Sequence, residues 1–383
     1  MAQGSDNSGD ASNLRDSLAN RAGRLLQNVL VIFGLIGSSV VMMGVGYRIA
    51  NNSGGFLIAM LLTIPVRFLT VWVHEVGHVV AAKRAGMTVL HARVGAIEAM
   101  ALRTGWRIRW RSMQELRQRK LSGYTIAIPA LNQSIRKQQI WFALGGPAAN
   151  LVLAICSATI GLLLGSNPLA YFFLALCLYS AVVGIGNLIP TRRSLESDGR
   201  QALRWIKANS GNSPVDASIR ILARSIDGVR PEDQDEADLS SLESKPMPWP
   251  LFALYIRLGA HEDRGDWTTA TQLEKTFHPL LSEISHTTDL AAIVRTELAF
   301  CKTLHNNSDE FLSEDLLPKS AKWSAPHIWP RCLALRAAMA GDAKTRDREL
   351  ALSLQWAKKS VELSVVSSEL LIHEHIRSYK KSA

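Results

Sequence analysis

The 383-residue sequence predicts a mainly α-helical chain: a polytopic membrane bundle of about four spans with a small membrane-associated β segment, followed by an all-α cytoplasmic domain. Three observations predict it. Mean hydropathy is +0.06 with 47% hydrophobic residues, the average expected when one half of a chain is apolar and the other polar. Four apolar runs, each long enough to span a bilayer, all fall in the first half. The formal net charge of +10 equals the excess of one block, residues 83–137, where twelve Lys and Arg face only Glu98 and Glu115. A basic block set between apolar runs reads as a cytoplasmic membrane loop rather than a nucleic-acid surface. The composition excludes a disordered or collagen-like chain, and four cysteines exclude a disulfide scaffold.

Residues 1–24, rich in Gly, Ser, Asn and Asp at their start, are expected to form a disordered tail. The first apolar run, 25–47, holds no charged residue and is too long for the core of a signal peptide. The second, 55–73, is apolar except for Arg67 and leads directly into His74-Glu75-Val76-Gly77-His78; the third and fourth are 140–164 and 169–190. Arg192, Arg193 and Arg200 follow the fourth run, while residues 166–168 between the third and fourth carry no charge. With the basic block inside, this pattern places both termini in the cytoplasm, and His74 and the segment 187–198 toward one membrane face.

Within the basic block, Val94, Gly95 and Ile97, then Trp106, Ile108 and Trp110, and then residues 124–128 before Pro129, read as short strands. The Arg/Trp alternation fits either a strand resting on lipid headgroups or an edge that contacts substrate. Residues 25–200 thus form the membrane-embedded domain and 201–250 a connector, its acidic, Ser- and Pro-containing stretch 227–250 reading as a linker. Apolar periodicity in 251–383 predicts a helical domain. Gly265-Asp266 and Gly341-Asp342 recur at helix junctions, a pattern shared by degenerate tetratricopeptide-type repeats and by a plain helical bundle.

The chemistry concentrates in His74-Glu75-Val76-Gly77-His78. On a helix, residues i and i+4 share one face, so both imidazoles can reach one metal ion. Imidazole suits zinc, and a catalytic zinc keeps one position for water. Glu75 can act on that water as general base. A third ligand is required. His91, in the basic block, and Asp198, on the same membrane side as His74, are the candidates.

These residues resemble the site-2 protease family of intramembrane zinc metallopeptidases. The His74–His78 segment is similar to that family's HExGH-like helix. Gly145-Gly146-Pro147-Ala148-Ala149-Asn150 resembles its Gly-Pro-x-x-Asn element. Asn187-Leu188-Ile189-Pro190 with Asp198-Gly199 resembles its Asn-x-x-Pro…Asp-Gly element, although eight positions separate Pro190 from Asp198, a longer spacing than in much of the family. The resemblance implies that His74, His78 and Asp198 bind zinc and that Glu75 is catalytic. It implies substrate contacts for Asn150, Asn187 and Pro190. Substrates would be transmembrane segments of other proteins, membrane-anchored regulators or leftover signal peptides, cut near the cytoplasmic face. The positive-inside pattern and small size suggest a bacterial inner membrane, and a basic excess confined to one loop leaves no part for nucleic acid. The C-terminal helical domain is, by elimination, the part that regulates or binds a protein partner. The alternative from another class is a membrane-tethered helical-repeat scaffold with a structural or inactive zinc site. His373-Glu374-His375 is expected to be a solvated face, because i and i+2 diverge on a helix.

Overall fold

The computed structural model describes residues 8–49, 53–114, 117, 122–192, 196–208, 216–282 and 289–379. Arg193, Glu115, Arg119 and Lys120 of the charge pattern lie outside them. The chain divides into two compact units, Met1–Ala99 with Ile108–Ser213, and Met100–Arg107 with Pro214–Ala383.

The first unit is built on α1 (Ser8–Ile49), α2 (Ser53–Arg84), α3 (Ile135–Leu164) and α4 (Pro168–Leu188). All four are long and apolar enough to cross a membrane. Their outward faces expose Ile32, Phe33, Ile36, Leu57, Leu61, Ile64, Ile155 and Leu163. Such a surface would be a liability in water and is what lipid solvates. Inside, Met42, Val45, Ala59 and Ala175 form a small buried cluster. The Thr70 and Ser180 hydroxyls lie 3.0 Å apart and tie α2 to α4, a polar contact of the kind that holds helices together where lipid cannot drive them.

α1 reaches back to Ser8, so the tail expected over residues 1–24 is helical wherever it is described. No proline falls between Ser8 and Leu25, and a helix already nucleated in the apolar run extends through that stretch despite Gly9 and Gly23.

The basic segment folds into β1 (Thr88–Val94), β2 (Ile97–Leu102), β3 (Gly105–Trp110) and β4 (Gly123–Ile128), in the order β3-β2-β1-β4. β1 and β4 are antiparallel, with Ala92 opposite Thr125 and a register shift between Val89 and His91. β3 and β4 are therefore the edges. On β3 and just beyond it, Arg109 and Arg111 turn to Glu98 at 2.5 and 3.1 Å, while Ile108 and Trp110 are exposed on the other face. After α4, the short α5 (Asp198–Lys207) closes the unit.

Apart from the strand residues 100–107, the second unit is helical. It contains α6 (Ala217–Ile226), α7 (Glu236–Glu243), α8 (Trp249–Arg264), α9 (Trp267–Gln272), α10 (Glu274–Ser282), α11 (Asp289–Asn306), α12 (Lys319–Ser324), α13 (Ile328–Met339), α14 (Ala343–Ala357) and α15 (Ser364–Ser378). The stretch 227–250, expected as a linker, carries α7. Leu239 and Leu242 pack there on Ala253 and Ile256 of α8, so its few apolar residues suffice to dock it. The two Gly-Asp junctions serve one purpose. Gly265 and Gly341 take the left-handed conformation past a helix end, and Asp266 and Asp342 cap the next helix by accepting from the Thr269 and Thr345 amides at 3.1 and 2.9 Å.

His373 corrects a second expectation. It is 1% exposed and lies 3.2 Å from Glu369, so its side of α15 is core rather than solvent. Arg331 supplies the charge that the sequence pattern could not reveal, pairing with both Glu297 and Glu369 in the same buried cluster.

Candidate metal centre

α2 carries His74 and His78 one turn apart, and their rings meet edge to face with centroids 4.8 Å apart. Their Nε2 atoms are separated by 3.2 Å. The Asp198 carboxylate closes the group, Oδ2 at 3.1 Å from His74 Nε2 and Oδ1 at 3.5 Å from His78 Nε2. Among the described residues this is the one group of three or more such donors, all within 4.8 Å of one another.

The donor set fits a zinc ion. Ligands about 2.0–2.1 Å from a tetrahedral centre stand about 3.3 Å from one another, and the three observed separations bracket that value. The tautomers agree. His78 Nδ1 lies 2.7 Å from the Phe142 carbonyl, which only accepts, so the proton sits on Nδ1 and Nε2 keeps its lone pair. His74 Nδ1 lies 3.1 Å from the Asn150 amide nitrogen, while Asn150 Oδ1 is buried without a partner. Turning that amide gives Oδ1 the His74 Nδ1–H and again frees Nε2. The Asp198 carboxylate supplies the third set of lone pairs. Three lone-pair donors thus converge on one point.

Two glycines make the convergence possible. A Cβ on Gly146 of α3 would lie 2.4 Å from His78 Nε2 and 2.7 Å from His74 Nε2. A Cβ on Gly199 would lie 1.8 Å from the Leu188 carbonyl, so only glycine lets α5 butt against the end of α4. The described ends of the Pro190–Asp198 segment are tied together at Ser197. Ser197 Oγ accepts from the Thr191 amide at 2.9 Å and donates to the Ile189 carbonyl at 2.7 Å, while the Ser197 amide donates to the Thr191 carbonyl. Ser197 also caps α5, which sets Asp198 at its first position. α1 braces this loop from outside, through Asn20 to the Arg192 backbone and Gln27 to Thr191.

Glu75 is buried beside β4. Thr125 Oγ1 donates to its Oε2 at 2.8 Å, and a Cβ on Gly123 would lie 2.9 Å from its Oε1. Of the other expected residues, Asn187 Nδ2 reaches to 3.4 Å from His74 Nε2. Pro190 lies exposed just past the end of α4. His91 stays on β1 at 3.7 Å from Glu98, apart from the donor group. The sequence reading did not single out Thr125, Ser197 or the steric role of Gly146. The only signals were a Thr in an alternating stretch, a Ser before Asp-Gly, and a glycine pair that reads equally well as a loosened helix.

Residues 62–169 match the model of Peptidase family M50, the site-2 protease family. The M50 match runs from within the first third of α2 through the sheet and α3 to the start of α4. It contains His74, Glu75, His78 and Asn150 and ends before Asn187, Pro190 and Asp198. It indicates a membrane metallopeptidase, consistent with four helices able to span a bilayer. No curated protein and no solved structure was found to match the chain.

Proposed function

We propose that the chain is an intramembrane zinc metalloprotease that hydrolyses peptide bonds in transmembrane segments of membrane-anchored regulators or signal peptides. The observation that supports it is the convergence of His74, His78 and Asp198 beside Glu75, on helices fit to cross a membrane. The positive-inside pattern orients the bundle with both termini and the sheet on the cytoplasmic side of a bacterial inner membrane.

His74, His78 and Asp198 hold the zinc, which when bound supplies Lewis acidity toward the scissile carbonyl and lowers the pKa of water. Glu75 takes the proton from the attacking water and returns it to the leaving amine. Thr125 occupies Glu75 Oε2 and leaves Oε1 to take that proton. Asn150 fixes the His74 ring; Asn187 and Pro190 shape the end of α4 and hold the substrate strand. A helical substrate has its amides satisfied and must unwind before attack. β4 is a sheet edge next to Glu75, and pairing with it satisfies the unwound backbone.

The test is cleavage of single-span peptides by the full chain in proteoliposomes, with zinc measured on the same preparation. Zinc-dependent cleavage within the span, absent from Glu75→Gln, supports the reading. Zinc-replete protein that leaves a broad panel of spans uncut argues for a structural site on a membrane-tethered scaffold.

A further inference from the structure

On the far side of the α2–α3 seam from the histidines runs an apolar groove of about 690 Å³, a size suited to a small hydrophobic ligand. α2 lines it with Val73, Val76, Val80 and Ala81, and α3 with Leu144 and Ala148. The seam is tight because a Cβ on Gly77 would lie 2.5 Å from both the Gly145 carbonyl and the Ala149 methyl. The helices therefore meet backbone to backbone, and the groove is the trough above their contact. None of the three metal donors lines it.

At one end the chemistry changes. Arg84 and Trp141 line the end of the groove and also a second, contiguous hollow of about 200 Å³, which adds Gln133, Ser134 and Lys137. Arg84 and Lys137 are exposed, and neither pairs with a carboxylate among the described residues. Both stand at the ends of spanning helices, at the level of an exposed Trp141, where a bilayer passes from hydrocarbon to headgroup. The site is thus amphipathic in one direction, a long apolar trough ending in two cations and polar side chains.

We propose that this groove is a binding site for an anionic phospholipid, one acyl chain lying along α2 and α3 and the phosphate held between Arg84 and Lys137. Charge complementarity selects this occupant over a substrate helix. A spanning peptide fills the trough equally well but brings no fixed anion to the rim, and from this side of the seam it cannot reach His74 or Asp198. A bound lipid would brace the two helices that carry the histidines and Gly146. The inference rests on membrane embedding and is independent of protease activity.

Native mass spectrometry of the full chain, released from nanodiscs holding equal phosphatidylglycerol and phosphatidylcholine, tests it. The expected result is selective retention of phosphatidylglycerol. The double change Arg84→Ala and Lys137→Ala should weaken that preference about 30-fold, at roughly one interfacial cation's attraction each. Ala148→Phe, which fills the trough from an exposed position, should remove both lipids. Zinc content, and the thermal midpoint measured in lipid-free detergent, should stay unchanged in all variants, which separates loss of the site from misfolding. Equal retention of the two lipids, displacement by inorganic phosphate, or retention unaffected by Ala148→Phe would overturn the proposal. So would a protein-sized adduct from a photocrosslinker at Val80 in native membranes.

Discussion

In the proposed function Glu75 and Asn150 have separable duties, and single changes should separate them. Glu75→Gln keeps the shape that Thr125 and Gly123 grip but removes the base. Turnover should fall by about 10²–10⁴-fold, the usual contribution of a positioned base, with zinc content unchanged. Asn150→Ala leaves Glu75 in place and frees the His74 ring. Zinc affinity, read by competition with a chromophoric chelator, should weaken about 10–100-fold. The two histidines and Glu75 were legible in the sequence because helical periodicity alone puts i and i+4 on one face. Thr125 and the Phe142 carbonyl were not, because their roles come from the sheet and α3 folding back onto α2 across 50 and 64 positions.

Asp198 depends on how two elements meet. Its arrival beside His74 requires α5 to press against the end of α4 at Gly199 and the ends of the 190–198 segment to be tied together at Ser197. Gly199→Ala puts a methyl into the Leu188 carbonyl. It should displace α5, cost about 1–3 kcal/mol of stability as overpacking does, and lower zinc occupancy, measured by metal analysis and thermal unfolding. Spacing from Pro190 could not show this, since loop length says little until the hydrogen bonds that close the loop are known. The order of motifs carried Asp198 into the site where spacing alone left His91 as a rival. The strands were also legible from alternation, but not which of them would be edges, because strand order is a tertiary property.

The division into an apolar and a polar half was legible from hydropathy and charge, since those quantities decide which solvent each half needs. The interior of the polar half was not. Asp263 on α8 is 6% exposed, and burial pushes its carboxyl up to about 6 from an ordinary 3.8. A raised acid keeps its proton longer in the folded state, so it costs nothing at low pH and progressively more as pH rises from about 4 to 6. Asp263→Asn should therefore stabilise the chain by about 3 kcal/mol above pH 7, with the difference vanishing near pH 4. Tryptophan fluorescence during thermal unfolding across that range would show it. Neither His373 nor Asp263 could be recognised as buried from the sequence, because a helix face reads as polar until its neighbours are known.

The most direct measurement is a quantitative membrane proteome of the native host carrying either the wild-type chain or Glu75→Gln. The proposed zinc ligands and the C-terminal unit are unaltered in sequence in both. Accumulation of one or a few uncut single-span proteins in the variant is the predicted result, and would name the substrate. An unchanged proteome, in cells where deleting residues 201–383 still alters behaviour, would contradict proteolysis as the purpose of the site.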